Sequence, residues 1–372
     1  MRNYQNLKSL ISMILLGFTL TWITGCRAKT VDETNTITLD VYSNSISELN
    51  TSDLIKDIRF IPLETTADNI IGSISKIIKN KDRYYILDAR IGKKILVFET
   101  NGKYLFSFGK MGKGPEEFTK LVDIAIDSKN DVIYLLDNGR KIIKTDLNGE
   151  FMLEKNAPSE YNQIQNIVAH DGFLYGASGQ HAGIEKMFQV IQFDELLNPV
   201  NYFLPYEYTF PGTLQFANRL YEFNNTVNFV SVFENKIYSK SGDSFTERYS
   251  LDVGDKSLQL QDLTSDKFVM NTEGIYLFSY CIEGDNLIHL PVFLNGRPRL
   301  GLVDKNSNTY FTIDKLNANP YSLPPSSSFY DGWYIAAMNS IQFAQVYPDS
   351  EVKPKEEDNP IVIEYQLTFT GK

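Results

Sequence analysis

One pattern occurs twice in the N-terminal half of this chain: Tyr84-Tyr85-Ile86-Leu87-Asp88 followed by Lys94-Ile95-Leu96-Val97-Phe98, and Ile133-Tyr134-Leu135-Leu136-Asp137 followed by Lys141-Ile142-Ile143-Lys144. Asn101-Gly102 follows the first copy and Asn148-Gly149 the second, so the two glycines are 47 residues apart and the two aspartates are 49 apart. Asn-Gly is the favoured turn of a tight hairpin because both residues tolerate positive φ. Each copy therefore predicts four short antiparallel strands, the blade of a β-propeller.

Fainter copies continue the pattern toward the C-terminal end. They lie near residues 171–175, 229–232, 273–278 and 331–336. The apolar run at residues 360–367 is expected to complete a blade begun by N-terminal residues, because a closed ring leaves no exposed sheet edge. Apart from one helical turn near residues 340–345, helical periodicity is nearly absent. The sequence thus predicts an all-β fold, a six-bladed β-propeller of four-stranded antiparallel blades, over residues 53–372.

The first 25 residues read as a targeting segment. Arg2 and Lys8 precede an apolar run at residues 10–23, which is shorter than the roughly 20 residues that a membrane-spanning helix needs. Ile23-Thr24-Gly25-Cys26 then resembles the lipobox of bacterial lipoproteins, in which the cysteine is acylated and becomes the new N-terminus. We therefore predict a signal peptide at residues 1–25 and lipid on Cys26. An uncleaved signal anchor with an incidental cysteine is the alternative.

Residues 26–52 are rich in Thr, Asn, Ser, Asp and Glu, a composition that predicts a flexible tether between the lipid and the fold. The predicted location is the cell envelope, with a membrane as the first partner. Arg27 replaces the aspartate that is linked to inner-membrane retention, which favours the outer membrane. Periplasmic and surface orientations both stay open.

Charge and cysteine content narrow the class of protein further. The formal net charge of −10 argues against binding to nucleic acid or to anionic lipid headgroups. Cys26 and Cys281 are the only cysteines, so a lipid on Cys26 leaves no partner for an internal disulfide. Cys281 is expected to face the core as a small apolar residue.

Residues 85–88, 94–98 and 101–103, the segment 109–118 and the ending at residues 357–362 together carry a family resemblance. They are similar to the bacterial six-bladed β-propeller lipoproteins, whose shape is related to that of NHL-repeat propellers. The resemblance covers essentially all of the chain after Cys26 and is strongest in the first two units. It implies a propeller fold and an envelope location, and it brings no catalytic residues with it.

Catalytic motifs are sparse. Residues 109–115 are rich in glycine but lack the Gly-Lys-Ser/Thr ending and the following helix of a phosphate loop, so we expect a loop between blades, with Phe118 plugging the next blade. His170, His181 and His289 do not have the spacing of zinc ligands, and no nucleophile motif is present. The sequence predicts no cofactor.

Five residues are candidate ligand contacts. Asp88, Asp137 and Asp304 are oxygen donors near strand ends, and they could converge near the propeller axis or fix turns through backbone amides. Lys113 belongs to the glycine-rich loop, which could contact a ligand at the propeller face. Tyr206 lies in an aromatic run at residues 202–211, which could present rings to a sugar or peptide or could pack between blades.

Two functions from different classes remain. The first is a binding module that holds a glycan, a peptide or an envelope protein with its loops and central channel. The second is a metal-assisted hydrolase or lyase that acts on a sugar or lactone at the axis. Catalysis requires two or three carboxylates within hydrogen-bond reach of one pocket, whereas binding does not. A scaffold subunit of an envelope complex would instead expose a large apolar patch.

Overall fold

The computed structural model describes residues 36–161, 163–179, 187–207, 218–257, 274–277, 281–294, 297–317 and 328–369. The predicted signal peptide, Cys26, His181 and residues 208–211 lie outside these ranges. No helix within them is both long enough and apolar enough to cross a membrane.

Four strands precede the first blade: β1 (Ile37–Asp40), β2 (Ser45–Ile46), β3 (Leu49–Asn50) and β4 (Ile55–Pro62), with a 3-10 turn at Thr51–Asp53. The folded unit begins at Thr36 rather than at residue 53, so the second half of the predicted tether is part of the fold. Leu39 and Val41 are 1% and 0% exposed and pack against core residues of later blades. Two apolar residues inside a polar stretch are enough to order it, because an existing sheet edge supplies their backbone partners.

Three four-stranded antiparallel blades follow. Blade 1 consists of β5 (Lys76–Asn80), β6 (Arg83–Asp88), β7 (Lys94–Glu99) and β8 (Tyr104–Phe108). A small pair, β9 (Lys110–Met111) and β10 (Glu117–Phe118), lies between blades 1 and 2. Blade 2 consists of β11 (Leu121–Asp127), β12 (Val132–Asp137), β13 (Lys141–Asp146) and β14 (Phe151–Asn156). After a 3-10 turn at Ser159–Tyr161, blade 3 consists of β15 (Ile164–His170), β16 (Phe173–Ser178), β17 (Phe188–Phe193) and β18 (Pro199–Pro205).

Blades 4 and 5 recruit the N-terminal strands. Blade 4 consists of β19 (Leu220–Phe223), β20 (Thr226–Ser231), β21 (Lys236–Ser241) and β22 (Ser244–Asp252), with β1 as a parallel fifth strand on β22. A 3-10 turn at Gly254–Lys256 follows. Blade 5 comprises β23 (Tyr276–Leu277), β24 (Ile282–Glu283), β25 (Leu287–His289), β26 (Val292–Leu294), β27 (Arg297–Asp304) and β28 (Thr309–Ile313), and β2 lies parallel to β28. Next, β29 (Leu316–Asn317) pairs in parallel with β3.

Blade 6 closes the ring. It consists of β30 (Ser328–Tyr330), β31 (Trp333–Met338), β32 (Ile361–Leu367) and the N-terminal β4, and α1 (Ser340–Val346) joins β31 to β32. β4 pairs antiparallel with β32 from Pro62 opposite Ile361 to Ile55 opposite Leu367. The predicted closure of the last blade by N-terminal residues is confirmed, as is the six-bladed all-β fold across the described residues.

The core lies between neighbouring blades. Between blades 1 and 2, Tyr85 and Ile95 pack with Ile133, Leu135 and Phe118 in one buried cluster. The second strand of each of these two blades is almost wholly buried, because both of its faces meet a neighbouring blade. Continuous apolar runs such as those in β6 and β12 are what a strand covered on both faces requires.

Candidate functional site

The centre of the ring contains a cavity of about 830 Å³. Strands β5, β11, β15, β19, β24 and β30, one from each blade, contribute to its wall, and the cavity extends to the turns that connect the last five of these to the next strand. We call this ring of turns the A–B face. Residues of these turns that line the cavity include Lys129, Asp171, Asn225, Asp285 and Asp331.

We call the central cavity the channel. Two lysines in its wall are neutralised by carboxylates behind the wall. Lys76 Nζ lies 2.8 Å from Asp123 Oδ1 and also donates to the Ile124 carbonyl. Lys79 Nζ lies 2.5 Å from Glu364 Oε1, an oxygen that also accepts a hydrogen bond from the Tyr84 hydroxyl at 2.7 Å. These buried ion pairs hold adjacent blades together, and their charges are already satisfied within the protein.

A third buried carboxylate lies where blades 4 and 5 meet. Arg248 donates to both oxygens of Glu283 at 2.9 and 2.7 Å, and Lys305 Nζ donates to Oε1 at 2.8 Å. The Tyr221 hydroxyl donates to Oε2 at 3.1 Å. The Glu283 side chain is 0% exposed, so these four donors replace all of its hydration.

Cys281 also borders the channel but is 2% exposed, as expected for a core residue. Burial, reinforced by the charge of Glu283, raises the pKa of its thiol well above the ordinary value. Because the thiolate is the reactive form of cysteine, burial disfavours a nucleophilic role for this thiol.

The A–B face carries both open and paired charges. Within the described residues, the carboxylates of Asp285 and Asp331 have no hydrogen-bond or ion-pair partner in the protein, whereas Asp171 pairs with Lys129. Gly332 approaches Asp285 closely: a Cβ on Gly332 would lie 3.9 Å from Asp285 Oδ2. The mouth of the channel therefore presents unneutralised negative charge.

Aromatic rings lie beside these carboxylates. Phe223 and Phe329 line the cavity with their ring centroids 6.0 Å apart, and Tyr330 adjoins them. His170 Nδ1, also in the wall, lies 3.5 Å from Glu222 Oε1, and this contact raises the pKa of His170. Lys305 Nζ already lies 4.0 Å from the centroid of the Phe223 ring. The remaining aromatic surface next to the two carboxylates suits a ligand that carries both an apolar surface and a positive group.

Asp88 and Asp137 lie at the other end of the strands. Asp88, 0% exposed, accepts hydrogen bonds from the backbone N–H groups of Gly72, Ser73 and Ile91 at 2.7, 3.1 and 3.1 Å. Asp137 accepts the corresponding bonds from Thr119 and Lys120 at 2.9 and 2.7 Å. Both carboxylates fasten the loop that enters their own blade. Of the two roles considered for these aspartates, the observed contacts match the fixing of turns through backbone amides.

Replacing Asp88 by Asn is expected to lower stability by about 1–3 kcal/mol at pH 7, because one of the two buried acceptor oxygens becomes an NH₂ donor that faces backbone N–H groups. Burial alone would raise the pKa of Asp88, but the backbone donors outweigh it and lower the pKa below its usual value. A lowered pKa stabilises the fold above the unfolded pKa near 4, and this stabilisation is lost as the pH falls through the folded value. Urea unfolding should show a smaller difference in the free energy of unfolding between the parent and the variant at pH 3 than at pH 7. Asp349→Asn, at an exposed aspartate, is the control, and an equal loss at both pH values would contradict this explanation.

The remaining three candidates are also outside the channel. Asp304 accepts from the Asn306 N–H at 3.0 Å and the Ser307 hydroxyl at 2.8 Å, which fixes the β27–β28 turn. Lys113 is exposed, and the Tyr206 hydroxyl donates to the Ser178 carbonyl at 2.8 Å. None of the five predicted contacts is among the described residues that line the channel. The structure does not bring them together.

The glycine-rich loop folds around a carboxylate of its own. Glu117 Oε2 accepts from the Gly114 N–H at 2.9 Å, and a Cβ on Gly112 would lie 1.8 Å from the same oxygen. Lys110 pairs with the other oxygen at 2.6 Å. Phe118 is 1% exposed and packs under Gly109, whose φ is +99°. The loop is an ordered connection between blades, as expected.

Among the described residues, no three His, Cys, Asp or Glu side chains are arranged to hold a metal ion. His289 is buried, which lowers its pKa to about 4. His170 is on the channel wall beside Glu222. Sequence patterns missed the channel residues because they come from strands of six separate blades and from five separate turns. The one available signal was the recurrence of Asp-Gly after a first strand, at Asp171 and Asp331.

Residues 34–366 match a family described as a domain of unknown function, DUF4934. This chain belongs to the DUF4934 family. The match begins two residues before Thr36, the start of the folded unit. The family description names neither lipoproteins nor NHL repeats, so that resemblance stays a prediction. No curated protein matches the chain.

The DUF4934 domain resembles a protein of Bacteroides fragilis NCTC 9343 described as exported, with a TM-score of 0.70 and 18% identity over 90% of this chain and 99% of that chain. The U3-55K structure has a TM-score of 0.47 and 11% identity over 83% of this chain and 98% of that chain. BamB from Moraxella catarrhalis has a TM-score of 0.41 and 12% identity over 76% and 72%. At 18% identity, the first likeness concerns the fold alone.

Proposed function

We propose that this DUF4934 protein is an exported binding module that holds an amine-bearing glycan or peptide in the central channel, at the A–B face. The observation that carries the proposal is the channel mouth, where the open carboxylates of Asp285 and Asp331 lie beside the Phe223–Phe329 ring pair. The other acidic groups of the channel wall already have hydrogen-bond or ion-pair partners within the protein. Glu283 has four donors, and Asp171 is paired with Lys129.

The geometry supports binding over metal-assisted catalysis. The catalytic alternative required Asp88, Asp137 and Asp304 to converge near the axis. Asp88 and Asp137 instead hold entry loops with backbone hydrogen bonds, and Asp304 holds a hairpin turn. A carboxylate that accepts several backbone N–H groups is a poor proton acceptor, because those bonds stabilise its charged form.

Neutralising the two open carboxylates, in the double variant Asp285→Asn and Asp331→Asn, is expected to weaken binding of an amine-bearing ligand at least tenfold. The physical reason is the loss of two charges that face the ligand at the mouth. Calorimetric titration with glucosamine oligomers and lysine-containing peptides would measure the affinity. The N-acetylated oligomers and neutral peptides provide the ligand control, and Asp349→Asn provides the protein control. Equal affinity for charged and neutral ligands, or binding to none of them, would refute the proposal.

We further propose that lipid on Cys26 anchors the domain in the cell envelope, at the outer membrane. The lipobox-like Ile23-Thr24-Gly25-Cys26 supports this, as does the described export of the Bacteroides fragilis protein of similar fold. Cys26→Ser is expected to abolish incorporation of labelled palmitate and to move the protein from the membrane fraction to the soluble fraction. Cys281→Ser is the matched control, because Cys281 is buried. Labelling that persists in Cys26→Ser would show that the anchor is elsewhere.

A further inference from the structure

His170 and Glu222 meet in the wall of the channel, where blades 3 and 4 adjoin. His170 is the last residue of β15, Glu222 lies in β19, and both line the cavity. His170 Nδ1 is 3.5 Å from Glu222 Oε1. The Glu222 side chain is 45% exposed and that of His170 is 17% exposed. A ligand in the channel therefore has access to this carboxylate, and its protein partner is loosely held.

Glu222 differs from the paired carboxylates Asp171 and Glu283 in the kind of partner that it has. Asp171 is paired with Lys129, and the buried Glu283 is paired with an arginine and a lysine. Lysine and arginine keep their charge at neutral pH, whereas histidine ordinarily gains or loses its proton between pH 5 and 8. Protonated His170 cancels the charge of Glu222, and neutral His170 leaves that charge in the channel.

The charges that face His170 come from three places. Glu222 lies on β19, Asp127 on β11 and Asp171 in the turn after β15. Asp127 accepts three backbone N–H groups and Asp171 has its lysine, so Glu222 is the carboxylate whose charge depends on the imidazole. Of the other strands packed against β15, β16 and β20 contain no charged residue, and β12 carries only Asp137, at the end away from the A–B face.

The contact with Glu222 favours the protonated imidazole. Its hydrogen bond raises the pKa of His170 above the ordinary value of 6.5, although burial opposes the shift. The imidazole is therefore protonated in mild acid, and it becomes neutral as the pH rises through a value above 6.5.

We propose that Glu222 is a third ligand-binding carboxylate of the channel, and that protonation of His170 withdraws it from the site. This role of Glu222 rests on the proposed function, because it concerns the same amine-bearing ligand in the same channel. When His170 is neutral, an ammonium group takes the place of the imidazole beside Glu222. When His170 is protonated, the imidazolium holds that place and repels the ligand. Mild acid thus weakens binding, and binding by linkage releases a proton from His170.

Affinity measured between pH 5.5 and pH 9 tests the proposal. A lysine-containing peptide with blocked termini and a glucosamine tetramer would be titrated calorimetrically into the full-length chain, purified in detergent, as the parent and as His170→Gln. Glutamine keeps a neutral donor beside Glu222 at every pH, so the ratio of the two affinities cancels the ionisation of the ligand itself. We expect the parent to bind at least about fivefold more weakly than His170→Gln at pH 5.5 and about equally at pH 9.

Two further variants identify the groups involved. Glu222→Gln is expected to weaken binding at pH 9 and to lower the pH at which the His170 ring resonance titrates in ¹H NMR, with that resonance assigned by its loss in His170→Gln. His181→Gln is the matched control and should keep the pH dependence of the parent. At pH 7, the heat of binding to the parent should also differ between phosphate and Tris buffers, because the buffer takes up the released proton.

The results that would overturn the proposal are distinct from those that bear on the channel as a whole. The same pH dependence in the parent and in His170→Gln would exclude His170 as the switch and leave the amine site standing. Unchanged affinity of Glu222→Gln at pH 9 would exclude that carboxylate as a ligand contact. Binding of neither probe at any pH would refute the amine site and this switch with it.

Discussion

A chain that begins at Leu63 is expected to lose cooperative thermal unfolding and to aggregate, whereas a chain that begins at Thr36 keeps a single transition. The shorter chain lacks β4, the outermost strand of blade 6. Without it, β32 becomes an open edge, and the fully buried Ile361, Val362 and Ile363 lose part of their cover. An exposed apolar edge strand is a template for intermolecular pairing.

A third chain, which begins at Asp53, separates ring closure from the N-terminal strands on blades 4 and 5. It retains β4 but lacks β1, β2 and β3. It should fold with a lower melting temperature than the chain that begins at Thr36, because Leu39 and Val41 no longer pack into the core. Circular dichroism melts and size-exclusion chromatography would measure both properties. A cooperative, monomeric chain that begins at Leu63 would show that closure by β4 is dispensable.

Glu283→Gln is expected to destabilise the protein by about 3–5 kcal/mol, the range for breaking a buried ion pair by removing one partner. The substitution keeps the size of the side chain and removes its charge. Arg248 and Lys305, whose side chains are only 30% and 16% exposed, are left facing each other without a counter-charge. Urea unfolding would show a lower midpoint with an unchanged slope, because the surface exposed on unfolding stays the same.

Two further variants test the cause of that loss. Glu356→Gln changes an exposed glutamate and should leave the midpoint within about 0.5 kcal/mol of the parent. Adding Arg248→Met to Glu283→Gln should restore part of the stability, because one of the two uncompensated cations is removed. If the double variant is as unstable as the sum of the single variants, the charge network is not the source of the effect.

Several features of the fold were predictable because their causes are local. The Asn-Gly turns after Phe98 and Lys144 and the apolar runs that end at Asp88 and Asp137 mark the first two blades. Blade 5 was faint in the sequence for an equally local reason. Its strands β24 and β25 contain two and three residues, too few for a period of two to be recognised.

The roles of the aspartates depended on geometry instead. Asp88 and Asp137 attract attention in sequence because they recur at one spacing, and they recur because each blade needs the same loop to be held. Asp285 and Asp331 hold no such loop and are left open at the channel mouth, and of the two only Asp331 carries a sequence signal, as part of an Asp-Gly pair after a first strand. A repeated residue in a repeat protein thus indicates the architecture of the repeat before it indicates a site.

Residues close in sequence determined the repeat, its hairpins and the strand character of the runs in the first blades, since hairpin pairing depends only on turn chemistry and alternation over a few residues. Tertiary structure alone decided which side chains share a cavity. Asp285 and Asp331 are brought to one mouth, and Arg248 reaches Glu283 across a blade junction, because closure of the ring places distant turns side by side. The order of residues within a blade does not encode that arrangement. Ring closure creates it, and it depends on β4 pairing with β32 from opposite ends of the domain.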